Sequence, residues 1–347
     1  MTSLQTSHLI FIFLFPPPSP NHTHPHHTMM DAPPLPASST TTPSMRQYLF
    51  LIRLQILTPL SLLLNIASLL LCSFIAEPNI SAIARTHPTS ITPQTSVLAG
   101  YVGAVWVAQI GYCVLLVGAR KEETKRAMTQ GVGLSLMGAN VVMAGWGVAW
   151  ILQQFLLATI LLGLLILFLL FSNLSLLIYH PPTRSRPLDT ALIHAPLRFF
   201  LILPMSILFP LCLFLTLHLT YHPTPSGPPQ NYADWHATPG FLVVFFTNLF
   251  SLVVIVVRRD VVWCVAAMWV CMGVWSSAPK PAGVYITEIT YTVLHPLGLV
   301  VSMVYMWMRG RQEVRRGPVV LEGDEHPGLH GNGHGHGERP AAVAAGV

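Results

Sequence analysis

One stretch towards the C-terminus holds the residues best suited to chemistry. Glu288, Tyr291, Thr292 and His295 stand at i, i+3, i+4 and i+7, a spacing that sets all four on one face of a helix. The surrounding run, Val284 to Met308, is apolar. An ionisable group inside a bilayer is costly, so a carboxyl and an imidazole on one such face predict a path for protons or cations. The plainer alternative is a glutamate that reaches the interface and a histidine bonded to a neighbouring helix.

Other imidazoles do not form a motif. His218, His222, Asp234 and His236 gather around a proline-rich stretch, but without the regular spacing of a zinc site. His326, His330, His334 and His336 alternate with glycines and read as a solvated tail. No metal and no cofactor is expected. The five cysteines, Cys72, Cys113, Cys212, Cys264 and Cys271, all fall within apolar runs, where they read as small packing residues rather than a disulfide framework. There is no HExxH, no GxSxG and no paired acidic motif on facing spans, so an enzyme is not expected either.

The elements that must carry these residues follow from composition and length. With 52% hydrophobic and 9% charged residues over 347 positions, the chain has too few charges for a soluble domain of this size. A hydrocarbon core of about 30 Å needs roughly 20 helical residues. Eight runs qualify: Phe50 to Ala76, Val97 to Gly118, Gly131 to Leu152, Phe155 to Tyr179, Pro196 to His218, Pro239 to Val257, Val261 to Ser277 and Val284 to Met308. Gln153 and Gln154 mark the turn that divides the third from the fourth. The predicted fold is all-α, a polytopic helical bundle in the bilayer. It covers residues 48–309, between a Pro/Ser/Thr/His-rich tail over 1–47 and a Gly/His-rich tail over 310–347, both expected to be disordered.

Sixteen of the eighteen Lys and Arg residues fall on one face of this arrangement, and only Arg85 and Lys280 on the other. Loops rich in Lys and Arg stay on the cytoplasmic side, so both termini are expected there. The net charge of +5 suits anionic lipid headgroups; no basic stripe interleaved with aromatics predicts a nucleic-acid partner. Asn79-Ile80-Ser81 forms a glycosylation sequon in an outside loop, and Asn21-His22-Thr23 one in the N-terminal tail.

Inside the bilayer, Gly100, Ala104 and Ala108, and again Gly131, Ser135 and Ala139, recur every fourth residue, a code for close backbone approach. It predicts a tight pair of the second and third spans, or a self-association face. Pro59, Pro204, Pro210 and Pro296 interrupt spans and free carbonyls. Asn65, Gln109, Asn140, Asn173 and Asn248 supply interhelical hydrogen bonds. Trp150 and Trp263 are read as part of interfacial belts, whereas Trp106, Trp146 and Trp269 lie deep enough to line a cavity.

The stretch from Asn140 through Trp146 and Trp150, the segment LDTALIHAPLRF over 188–199, and Arg258-Arg259-Asp260 at the start of a span together resemble a family of fungal multi-pass membrane proteins of unknown function. That family is itself distantly similar to the tryptophan-rich sensory proteins. Met143 stands where the pattern would have tryptophan. The resemblance covers roughly Gly131 to Met308. It implies an internal membrane, the vacuolar one among them, and a small amphipathic ligand such as a tetrapyrrole or sterol held near Asn140, Trp146 and Trp150. Transport of a small solute coupled to protons or cations, using Glu288 and His295, is the competing expectation.

Overall fold

The computed structural model of the protein describes residues 45–119, 122–179, 190–220 and 236–316. The tail histidines, the Asn21 sequon, His222 and Asp234 lie outside these residues. Every described element is a helix: α1 (Met45–Leu70), α2 (Ile80–Thr86), α3 (Thr95–Gly118), α4 (Glu122–Arg126), α5 (Gly133–Ile151), α6 (Phe155–Tyr179), α7 (Ala195–Leu203), α8 (Phe209–Thr216), α9 (Ala237–Arg258), α10 (Val261–Trp275) and α11 (Ala282–Arg316). Seven helical stretches among them are long and apolar enough to cross a membrane, α7 and α8 together forming one. Their outward residues are Leu, Ile, Val and Phe, as lipid-facing surfaces require.

The eighth apolar helix, α10, is shorter than a full span, with 15 residues. At the helical rise it reaches about 22 Å. Its bounds have local causes: Asp260 caps its start, Oδ1 accepting from Val262 N at 3.1 Å and Trp263 N at 3.2 Å, and a turn over 276–279 follows its end. Its flanks are covered by α3, α7, α9 and α11, so most of it faces protein.

The turn at Gln153 joins α5 to α6. Gln153 adopts φ 55°, its N–H donates to Trp150 O at 2.9 Å, and Gln154 N–H donates to Ala149 O at 3.0 Å. This double closure satisfies the last carbonyls of α5. The same closure recurs at His218, whose N–H donates to Leu215 O while Leu219 N–H donates to Phe214 O. The two amides thus end one span and begin the next within three residues.

Proline breaks the fifth span where the sequence places it. Pro204 has no N–H to give, and the ladder slips by one residue into a π turn over Pro204–Leu208, closed by Phe209 N–H on Pro204 O. Helices α1 and α11 continue through Pro59 and Pro296. Helix α1 is held to the bundle by side chains: Gln55 Nε2 donates to Leu116 O at 3.0 Å, Asn65 Nδ2 to Asn140 Oδ1 at 3.0 Å and Ser68 Oγ to Ala144 O at 2.9 Å.

The small-residue stripes do not pair the second span with the third. Gly100 faces the Trp269 ring of α10, α3 packs on α7 and α10, and α5 packs on α6. The tight Gln153 turn holds α5 against α6, and α3 reaches α5 through the Gln109–Asn140 side-chain bond. Gly138 lies against the Phe168 ring in that α5–α6 contact.

Candidate functional site

Three places hold the residues singled out in the sequence, and they are separate. The first is the carboxyl–imidazole face of α11. Glu288, 2% exposed, accepts from Asn248 Nδ2 of α9 at 3.2 Å. His295, fully buried, bonds the Asn248 backbone carbonyl through Nε2 at 3.3 Å. A carbonyl only accepts, so Nε2 carries the proton, and Nδ1 is left as a buried acceptor with no partner. Thr292 Oγ1 donates to Glu288 O at 2.7 Å. The Tyr291 ring lies between Phe245, at 6.2 Å, and His295, at 5.6 Å. Cys271 of α10 donates to Asn248 Oδ1 at 3.2 Å. Glu288 and His295 therefore meet at Asn248, with the Tyr291 ring against His295.

Lys280 closes the outer end of this cluster. It precedes α11, donates from Nζ to Thr92 O, and is near enough to Glu288 to feel its charge. Burial pushes the Lys280 ammonium down to about 7, with Glu288 pulling the other way. Among the described residues no three His, Cys, Asp or Glu side chains come together as a metal-binding set.

The second place is a chain of three amides. Asn65 of α1 donates to Asn140 of α5, whose Nδ2 donates at 2.9 Å to Gln109 Oε1 of α3. Asn140 is fully buried, and Asn65 Oδ1 and Gln109 Nε2 at the two ends have no partner. The arrangement ties three helices together, as polar side chains in lipid do. Trp146 and Trp150 are equally engaged: their indole N–H groups point at Cys212 Sγ (3.5 Å) and Ile80 O (3.4 Å), and their rings lie 5.8 Å apart. Trp150, read from the sequence as interfacial, is buried, as is Trp263. Asn79 caps α2, its Oδ1 accepting from Ala82 N and Ser81 Oγ, both at 2.8 Å.

The third place is a small apolar cleft of about 10 Å³, lined by Val97, Tyr101, Leu203, Ile207, Trp269 and Gly273 among others. Its walls come from three interruptions. The π turn at Pro204 presents Leu203 and Ile207; Gly273 keeps α10 thin where Val97 and Pro93 approach; and Trp269 is fixed by its indole N–H on Val97 O at 3.1 Å. Tyr101 stacks on Phe199 at 4.4 Å and meets the Trp269 ring edge-on at 5.7 Å, while its hydroxyl donates to Phe199 O at 2.7 Å. Of these residues only Trp269 was marked by its depth in the sequence.

A family model described as TSPO-like protein matches residues 55–306. The match takes in more than half of the chain and all eight apolar helices in whole or part, so the chain belongs to the TSPO-like family of multi-pass membrane proteins. Comparison with curated proteins and with solved structures gave no match.

Proposed function

We propose that the protein binds a small amphipathic ligand within its helical bundle, without covalent chemistry, in an internal membrane and with both termini cytoplasmic. The observation that carries this reading is the aromatic cleft between α3, the broken fifth span and α10. A rigid wall of Tyr101 and Trp269 suits a flat or elongated apolar body, because rings add stacking to burial at little entropy cost. At about 10 Å³ the cleft is far below the roughly 300 Å³ of drug-sized pockets. A ligand ring therefore enters only as the Leu203 and Ile207 side chains opposite give way, the rest of the ligand lying in lipid. Orientation follows from the basic residues at the ends of alternate helices, Arg53, Lys125, Arg258 and Arg311 among them.

Titration of the purified protein with a porphyrin or a sterol, read by tryptophan quenching, tests this. Trp269→Ala is expected to weaken binding roughly 5- to 30-fold, as truncation of an aromatic anchor does. Trp146→Phe is expected to leave binding unchanged, since that ring is engaged elsewhere. No saturable quenching, or equal affinity in Trp269→Ala, removes the reading.

A second reading is supported by the buried Glu288 carboxyl, with Lys280 at its outer end and the unpartnered His295 Nδ1 inward. It is a proton- or cation-coupled carrier. In proteoliposomes at two pH values, Glu288→Gln is then expected to abolish the pH dependence of small-solute uptake and slow it at least about tenfold, as removal of an intramembrane relay group does. Unchanged uptake returns Glu288 to a packing role.

A further inference from the structure

The Glu288 cluster is closed at the end of the bundle where α9 and α11 start and α10 stops, and a loop closes it. Residues 87–94 join α2 to α3. Within them Thr89, Ser90, Ile91 and Pro93 are buried, so a segment that belongs to no helix sits inside the bundle. It touches all three helices. Gln94 N–H donates to Gly273 O in the last turn of α10, and Lys280, just before α11, donates to Thr92 O. Ser90 Oγ stands where a Cβ on Gly240 of α9 would be, and Val284 Cγ2 of α11 lies 3.3 Å from that same point.

The periods of the two helices show what lies beneath. Val284, Glu288, Tyr291 and His295 stand at i, i+4, i+7 and i+11 on α11, and Gly240, Val244 and Asn248 at i, i+4 and i+8 on α9. The two faces are paired, because Asn248 bonds both Glu288 and His295. Ser90 fills the gap at their first positions. Glu288 is therefore one turn, about 6 Å, further in than the Val284 that Ser90 meets.

The closed loop is held by opposing terms. Ile91, 3% exposed, keeps it down by apolar burial. Against this, Ser90 Oγ is buried with no hydrogen-bond partner, and the Lys280 ammonium is held on a neutral carbonyl. Lifting the loop returns water to both groups, which offsets part of the burial lost. A segment so balanced opens at a lower free energy than the helices around it.

We infer that the segment 89–93 is a removable plug over the Glu288 cluster, latched by the bond from Lys280 to Thr92 O, and that its lifting admits water and a small cation to Glu288 from that end. The cation rests on the carrier reading above; the plug rests on the packing of the loop alone.

Cys271 reports on the plug, because it is fully buried and bonded to Asn248 beneath it. The full chain in nanodiscs is treated with a small cationic methanethiosulfonate, a charged reagent that lipid excludes, and modification of each cysteine is followed by peptide mass spectrometry. Cys212 in α8, also fully buried, is the internal control. Lys280→Met is expected to speed modification of Cys271 roughly 10- to 100-fold, the weight of one hydrogen bond to a charged group, with Cys212 unchanged. Ser90→Ala is expected to slow it about fivefold or more, since removing a buried hydroxyl that has no partner favours the closed loop. An unchanged Cys271 rate in Lys280→Met overturns the plug by showing that the latch holds nothing. Equal acceleration at Cys212 overturns it by showing a general loosening of the bundle. No uptake is measured, so this result is read separately from that of Glu288→Gln in proteoliposomes.

Discussion

Asp260→Ala is expected to destabilise the protein by about 3–5 kcal/mol, the usual result of leaving one member of a buried ion pair alone. The carboxylate does two jobs. Oδ2 compensates Arg198, which is 7% exposed, and Oδ1 caps α10 through Val262 N and Trp263 N. Loss of the cap contributes about 1 kcal/mol of the total. Asp260→Asn separates the two, because an amide oxygen still caps while the charge is gone. Unfolding in mixed micelles or a thermal melt reads the difference. The double change Arg198→Met with Asp260→Leu is expected to recover much of the loss, since an apolar pair of similar volume removes the desolvation cost of both ions. A double variant as unstable as the sum of the singles would show that the two residues do not act as a pair.

Gly240→Ala is the second large effect, expected at about 1–3 kcal/mol, the range for overfilling a packed site. A Cβ at Gly240 would overlap Ser90 Oγ, sit 2.9 Å from Ser90 Cβ and lie 3.3 Å from Val284 Cγ2. The serine has little room to retreat. Its loop is pinned by Thr89 N–H on Thr92 Oγ1 at 2.8 Å, by Gln94 N–H on Gly273 O at 2.7 Å, and by Lys280 on Thr92 O. Combining Gly240→Ala with Ser90→Gly is expected to restore the melting temperature. Gly103→Ala, where a Cβ meets nothing within 4 Å, serves as the control and is expected to be close to neutral. Loss of stability at Gly103 equal to that at Gly240 would point to a general effect of helix glycines instead of this contact.

The helical spans were readable because lipid leaves a chain so few options: a long apolar run must be a helix, and Gln153-Gln154 is the break in the longest of them. Most run boundaries fall within a few residues of the helices, and Phe155 and Tyr179 bound the fourth in both descriptions. The face shared by Glu288, Tyr291, Thr292 and His295 was readable for the same reason, since helical periodicity fixes it. Their partners were not. Asn248 and Cys271 lie 40 and 17 positions from Glu288 in sequence, and only the packing of α9, α10 and α11 selects them. Spacing says nothing of long-range pairing, so Arg198 with Asp260 was equally hidden. The tryptophans show a different failure. Trp146 reads as a cavity residue and Trp150 as an interfacial one, but an indole N–H in lipid takes whatever acceptor is near, here Cys212 Sγ and Ile80 O. Trp269 also has its N–H engaged, on Val97 O, yet its ring stays at a gap, because the π turn at Pro204 shifts the wall opposite.

The three side-chain bonds that hold α1 carry a cost in time. Their partners lie 61, 75 and 76 residues downstream. At 5–20 residues synthesised per second, Asn65 is made roughly 4–15 s before Asn140 exists. For that interval a newly made helix sits in the membrane with its carboxamide unanswered, open to capture by a chaperone or by the wrong neighbour. Docking of the first helix therefore belongs to the later steps of assembly, after the third span has been made.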